Sequence, residues 1–323
     1  MTQSRRDFLA GAAIAAAAAA AGALGTRAAD RPTKDDVSLA AWSINRSFFV
    51  GKKWKLLDLP RIVRTEFNIN GIELVNQFFE NPMMRYLQEL KSNADKQGVK
   101  FVLIMVDGEG DMIATDKKER MQAAIAHRKW IDIASYLGCH AIRCNLGGSR
   151  VTDWKTDKDL VSRAVESFSN LLEYAKGANL NVVLENHGGA SSDPEVMVAV
   201  MKAVNNPNFG TLPDFGNVNP GDDNAEVLRK ILPYAKGISV KASWQLDGTH
   251  NKAWDLEKMI GICQDAGYHG FWGIESNYGA PRRKPAEGAP AEPPPSPEVI
   301  WENELKGIRL TKEVLDRLVM KKA

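Results

Sequence analysis

The sequence predicts a single-domain α/β protein, a closed (β/α)8 or TIM barrel, and three observations carry that prediction. From Val37 onward, short β-rich runs alternate with longer amphipathic stretches about eight times, the pattern of a parallel sheet covered by helices. The repeat fills about 280 residues, a usual size for such a barrel. No GxGxxG turn follows the first run, so the main signature of a doubly wound dinucleotide-binding sheet is missing.

A segment of another kind stands before the repeat. The chain opens Ser4-Arg5-Arg6-Asp7-Phe8-Leu9, continues through an Ala- and Gly-rich run over 10–24, and then reads Thr26-Arg27-Ala28-Ala29. A charged start, a weakly apolar middle and a small-residue exit predict a twin-arginine export signal over residues 1–29, cleaved near Ala28. An uncleaved anchor is the competing reading, but a membrane span needs about 20 strongly apolar residues. The mature chain is therefore expected in the periplasm or otherwise exported, without stable membrane insertion. The twin-arginine route carries folded proteins, so a cofactor could be loaded before export.

The strands are expected, in order, at 37–41, 71–75, 100–106, 141–146, 181–185, 209–212, 237–241 and 270–275, within a barrel spanning 37–320. Between them the spacing is helical: Ala126, Trp130, Ile133, Ala134 and Leu137 mark one buried face. Gly98, Gly138, Gly177 and Gly267 each precede a strand, where a left-handed helix-terminating residue is expected. The stretch APRRKPAEGAPAEPPPSP at 280–297 is too rich in proline for a helix or central strand. It is expected as an exposed loop, a solvated linker or a flap over the barrel mouth, before a last helix over 297–320.

Charge excludes one class of partner. Removing residues 1–28 takes away Arg5, Arg6, Arg27 and Asp7, so the formal charge falls from +2 to about 0. Nucleic-acid binders carry a basic stripe. Here only His127-Arg128-Lys129 and Arg282-Arg283-Lys284 are dense, and both are expected at the solvated surface. Cys139, Cys144 and Cys263 are odd in number and without CxxC spacing, so they are expected as small buried residues, not a disulfide framework.

In such a barrel the C-terminal strand ends converge on one mouth. Strand five ends Val183-Leu184-Glu185-Asn186-His187-Gly188-Gly189, strand six Leu212-Pro213-Asp214-Phe215-Gly216-Asn217, and strand eight Ile274-Glu275-Ser276-Asn277. Three carboxylates at one rim repel unless a cation or shared protons compensate them. Glu185, Asp214 and Glu275 are thus candidate metal ligands, and an oxygen-rich set favours Mn2+ or Mg2+ over Zn2+. His187 has room beside two glycines for a catalytic or ligand role. Arg143 and Asn145 share one face of strand four, where an inward Arg is hard to explain as packing. Trp42, Asn45, Glu73, Asn76, Asp107 and Glu109 are further candidates for the mouth. Trp42, Trp244 and Trp272 could stack on a sugar ring, with core packing expected for at least one.

The stretches VVLENHGG, TLPDFGN and GFWGIES, with GIELV at strand two, resemble the xylose-isomerase-like barrels, a family with sugar-phosphate isomerases, ketose epimerases and inosose dehydratases. The likeness covers about 37–279 and continues in the last helix. It implies a metal held by Glu185, Asp214 and Glu275, together with a His on strand seven. This chain reads Ile238-Ser239-Val240-Lys241 there, with Ser239 at the His position, and Asn217 stands where strand six often carries another His. The resemblance leaves open a metal held by three carboxylates with His187 or water, a weak metal, or none, with Lys241 supplying the charge.

It also implies proton abstraction next to a carbonyl, with Glu185, Glu275, Lys241 and His187 as catalytic candidates and Trp42, Arg143, Asn145, Asn217 and Trp244 binding a small carbohydrate. Export argues for a free sugar, keto-sugar or glycoside over a sugar phosphate. Isomerisation or epimerisation competes with β-elimination from a 3-keto-glycoside and with a non-catalytic carbohydrate-binding barrel. The DNA-repair branch of the same family needs several His and a basic groove, and five His in all on a chain expected to be exported argue against it. An oligomer is compatible with the sequence.

Overall fold

A computed structural model describes residues 34–147, 154–251, 253–279 and 295–322. The export segment, 280–294 of the Pro-rich stretch and Arg282-Arg283-Lys284 lie outside the described residues. Within the compact unit Pro32–Ala323, eight parallel strands form one sheet. They are β1 (Asp36–Ala40), β2 (Gly71–Val75), β3 (Lys100–Val106), β4 (Ala141–Cys144), β5 (Asn181–Glu185), β6 (Phe209–Leu212), β7 (Ile238–Trp244) and β8 (Phe271–Tyr278). The order β6-β5-β4-β3-β2-β1-β8-β7 leaves β6 and β7 to close the barrel. They do so through parallel bridges Thr211↔Ala235 and Asp214↔Ser239, with Ser239 N donating to Pro213 O at 2.9 Å.

A short helix, α1 (Asn45–Phe49), sits in the loop after β1. The eight outer helices are α2 (Leu59–Phe67), α3 (Met84–Gln97), α4 (Lys117–Leu137), α5 (Leu160–Lys176), α6 (Pro194–Val204), α7 (Asn224–Ile231), α8 (Leu256–Asp265) and α9 (Pro297–Leu318). Their starts are written locally. Asp116, Asp193, Asp223, Asp255 and Ser296 each accept a backbone N–H in the first turn, which satisfies donors that have no partner inside the helix. Their ends are legible too, with one exception. Gly98 and Gly138 adopt φ of +62° and +84° as helix terminators and Gly267 adopts +72°, but Gly177 stays right-handed at −63°, and Asn179, at +53°, makes the turn instead.

Three expectations change. β4 stops at Cys144, whereas β7 and β8 run on to Trp244 and Tyr278, paired in register through Trp244↔Tyr278. His127 is buried on the inner face of α4, its Nδ1 2.8 Å from Ala123 O, so only part of the His127-Arg128-Lys129 run meets solvent. Lys129 in turn pairs with Glu109 at 2.8 Å. The three cysteines are free and buried, as expected. Among the described residues no helix is long and apolar enough to cross a membrane.

Candidate active site

Side chains paired in register across a parallel sheet point to the same side, so one inward position on a strand fixes its neighbours. Lys241 pairs with Glu275, Ser239 with Gly273 and Asp214, and Met105 with Arg143. The chain thereby collects Arg143, Glu185, Asp214, Lys241 and Glu275 at one end of the barrel. Glu185 ends β5 and Asp214 lies two residues past β6, but Glu275 is in the middle of the extended β8. Among the described residues these three carboxylates place one oxygen each within 4.8 Å of one another, close enough for a single divalent cation to touch all three.

Two cations face them. Lys241 Nζ donates to Glu275 Oε1 at 2.6 Å and stands 3.5 Å from Asp214 Oδ2. Ser239 Oγ donates to the same Asp214 Oδ2 at 2.8 Å, while Asp214 Oδ1 accepts the N–H groups of Gly216 and Asn217 at 2.8 and 2.7 Å. On the opposite flank Arg143 Nη1 reaches Asp107 Oδ1 at 2.6 Å and Asn145 Oδ1 at 3.1 Å. Arg143 Nε lies 2.9 Å from Glu185 Oε2, but its N–H does not aim at that oxygen. The two groups are thus close without being hydrogen-bonded, and Glu185 Oε2 is left without a donor at the centre of the site. Glu185 Oε1 accepts from Asn217 Nδ2 at 3.0 Å.

These surroundings set the proton affinities. Burial pushes the Glu185 carboxyl up to about 8 even though Arg143 opposes the shift, and burial raises Asp214 against the pull of Lys241. Burial also works against charge on Lys241, yet Asp214 and Glu275 outweigh it and hold the ammonium above its ordinary range. Asp107 is held below the usual carboxylate range because Arg143 and Asn145 overcome its desolvation. His187, on the rim, stays below its ordinary value through partial desolvation and the nearby guanidinium of Arg143, so the imidazole is neutral at pH 7. Gly188 and Gly189 behind it have φ of +87° and +58°, and a Cβ on either would meet nothing within 4 Å. The backbone there needs glycine, and the space beside it is open.

The sequence matches the family model of the xylose isomerase-like TIM barrel over residues 65–299. The chain belongs to that family. Among curated proteins none matches it. A D-allulose 3-epimerase from a Methylomonas species is similar in structure, at TM-score 0.64 and 14% identity, covering 89% of this chain and 99% of its own. A 3-keto-D-glucoside 4-epimerase from E. coli has TM-score 0.59 and 14% identity, covering 85% and 98%. The IOLI protein, solved with a bound zinc, has TM-score 0.64 and 14% identity, covering 88% and 98%.

Within this xylose isomerase-like frame the expected residues divide. Glu185, Asp214, Glu275, Lys241, Arg143, Asn145 and Asn217 form one connected polar cluster, with His187 on its rim. Trp42 lies after β1 as an exposed residue, edge-on to Phe49 and Phe78. Trp244 turns away from the mouth, because it stands three residues beyond the inward Lys241, and its Nε1 donates to Thr311 of α9 at 2.8 Å. It cannot stack on a sugar in the mouth and instead lines a cavity of about 440 Å³ with His250, Trp254 and Val314. Trp272 is buried near the opposite end of β8, bonded to Asp35. Glu109 faces Trp130 and Lys129 outside the barrel.

The structure brings three further residues to the site, of which the sequence pointed to Ser239 only as the replacement of a His ligand and did not single out Asn186 or Trp254. Asn186 accepts Asp214 N at 2.7 Å and donates to the carbonyls of Asp214 and Asn217, locking the ends of β5 and β6 together. Ser239 orients Asp214. Trp254 Nε1 donates to Lys241 O at 3.2 Å, and its ring packs so closely that a Cβ on Gly216 would sit 2.8 Å from it. Buried Asn two residues before a glycine pair was the one available signal, since an apolar strand end rarely carries an unpartnered amide.

Proposed function

We propose that this chain is a sugar isomerase or epimerase that moves a proton at a carbon next to a carbonyl in a free sugar or keto-sugar. One observation carries the reading: two carboxyls from well-separated strands, Glu185 and Glu275, meet in a buried centre that also holds two cations. Glu275, ion-paired with Lys241, is the group ready to accept a proton. Glu185, held up to about 8, is protonated at neutral pH and ready to donate. Glu275 takes the proton from the substrate carbon, the electron pair moves onto the carbonyl oxygen as an enediolate, and Glu185 returns a proton from its own side. Arg143, Asn145 and Asn217 offer the hydrogen bonds that hold sugar hydroxyls, and Trp42 offers an aromatic face at the rim. The epimerases among the structural neighbours support this chemistry, and the export signal expected at residues 1–29 supports an unphosphorylated substrate outside the cytoplasm.

Three carboxylates would select Mn2+ or Mg2+ by their oxygen chemistry. The residues present nevertheless do not fit a resident metal. Ser239 supplies a hydrogen-bond donor where a neutral nitrogen ligand is needed, both oxygens of Asp214 are engaged by protein donors, and Lys241 already lies between Asp214 and Glu275.

The test is a panel of keto- and aldo-sugars incubated in D2O and read by NMR. Wild type is expected to place deuterium on one carbon next to the carbonyl. Glu185→Gln and Glu275→Gln are each expected to slow that exchange at least about 100-fold with the fold intact by circular dichroism. Near-normal exchange in either variant would remove that residue from the mechanism, and release of an aglycone in place of an altered sugar would move the reading to β-elimination.

A further inference from the structure

The carboxylate centre has a place for a cation, and the chain supplies one. Lys241 leaves β7 directly opposite Glu275 in the register of β7 and β8, so the backbone delivers its stem to the middle of the acidic cluster. Its side chain is 19% exposed against 0% for Asp214 and 8% for Glu275, which leaves the ammonium as the group between those carboxylates and the mouth. Trp254 covers the strand behind it, donating to Lys241 O, and Gly216 gives the stem its room: a Cβ there would come within 3.0 Å of Lys241 Cδ. Ser239 lies two residues earlier on the same face, and its hydroxyl is spent on Asp214. A metal here would have to displace the ammonium and compete with the backbone donors on Asp214, without any nitrogen ligand from β7.

We propose that the ammonium of Lys241, not a divalent metal, is the resident cation of this site, and that it stabilises the enediolate oxygen. The assignment rests on the carbonyl-sugar reading above. An ammonium has three donors. One serves Glu275, while Asp214 Oδ2 stands 3.5 Å away at ion-pair distance, so donor capacity is left for a substrate oxygen. When Glu275 takes the substrate proton, its negative charge passes to that oxygen, and Lys241 exchanges one anionic partner for another. The proton on Glu275, the electron pair on the enediolate and the unchanged charge on Lys241 balance the step, and no other reactant is needed.

The full chain, purified without added metal, is analysed by inductively coupled plasma mass spectrometry and by thermal melts with and without Mn2+ or Mg2+. Wild type is expected to carry fewer than about 0.1 divalent ions per chain and to show no rise in Tm with either ion, because a ligand that binds only the folded state must raise Tm. Ser239→His, which restores an imidazole facing Asp214, is expected to gain a Mn2+-dependent rise in Tm. Lys241→Met is expected to lose deuterium exchange at least about 100-fold, and a chelator should leave wild-type exchange unchanged. Stoichiometric metal in wild type, or a Mn2+-dependent rise in its Tm as large as that of Ser239→His, would overturn the assignment. The metal and melting readouts need no turnover, so a chain that processed no sugar would sink the functional reading and the enediolate role with it, while leaving Lys241 standing as the resident cation.

Discussion

Arg143 is the side chain on which the charge balance of the inner site turns. It is 3% exposed and has carboxylates on two sides, Asp107 at 2.6 Å and Glu185 at 2.9 Å. A buried ion pair gains little net stability, but removing one partner strands the other charge in a medium that solvates it poorly. Arg143→Met is therefore expected to destabilise the fold by about 3–5 kcal/mol in urea unfolding. Adding Asp107→Asn to Arg143→Met removes the stranded charge and should recover part of that loss. A double variant no more stable than the single one would mean that the guanidinium acts by packing and not by charge. The sequence announced this residue, since an Arg at an inward strand position has few structural excuses. It did not announce the misaligned Nε, which depends on side-chain angles that no spacing encodes.

Elements differ in how much of themselves they wrote into the chain. All eight strands stand where hydrophobic runs bounded by turn residues put them, because a strand buried on both faces must be apolar throughout. The upper halves of β7 and β8 were not legible. Ser243 and Asn277 read as loop, yet the two strands stay paired to Trp244↔Tyr278, and that added length reverses the reading of Trp244 by fixing its side relative to Lys241. The short helix α1 was also invisible in the sequence, because its anchor is distant. Glu304 of α9 accepts Arg46 N at 2.8 Å and Ser47 N at 3.2 Å, which ties the rim loop with Trp42 and Asn45 to the last helix. Glu304→Ala leaves two backbone donors without partners and is expected to cost about 1–3 kcal/mol. Amide hydrogen exchange at Arg46 and Ser47 should speed up in step with that loss, and unchanged protection there would show that α1 stands without its acid.

The barrel as a whole carries acid in its interior, and that links its stability to pH. Glu73, expected at the mouth, lies inside the barrel among β1, β2 and β8, because strand parity gives the face of a residue but not its height along the barrel axis. Ser38 Oγ donates to its Oε1 at 2.7 Å, Oε2 has no partner, and Gly273 provides the space, since a Cβ there would fall 2.1 Å from Oε1. Burial pushes the Glu73 carboxyl from an ordinary 4.5 up to about 7, against the Ser38 hydrogen bond, and Glu185 rises to about 8. Both groups hold a proton more tightly in the folded chain than in the unfolded one. Their contribution is therefore complete below the unfolded value of 4.5 and is lost as pH rises through about 7 for Glu73 and about 8 for Glu185. A shift of this size in Glu73 corresponds to about 3 kcal/mol at most, taking about 1.4 kcal/mol per pH unit. Wild type should accordingly lose stability from pH 5 to 9 in urea unfolding, with the slope expected when the folded state binds more protons. Glu73→Gln keeps the shape and removes the titration, so its slope should be shallower by nearly one proton around pH 6 and by about half a proton at pH 7. Equal slopes in the two proteins would mean that Glu73 takes up no proton on folding, and the barrel interior would then have to accommodate its charge in some other way.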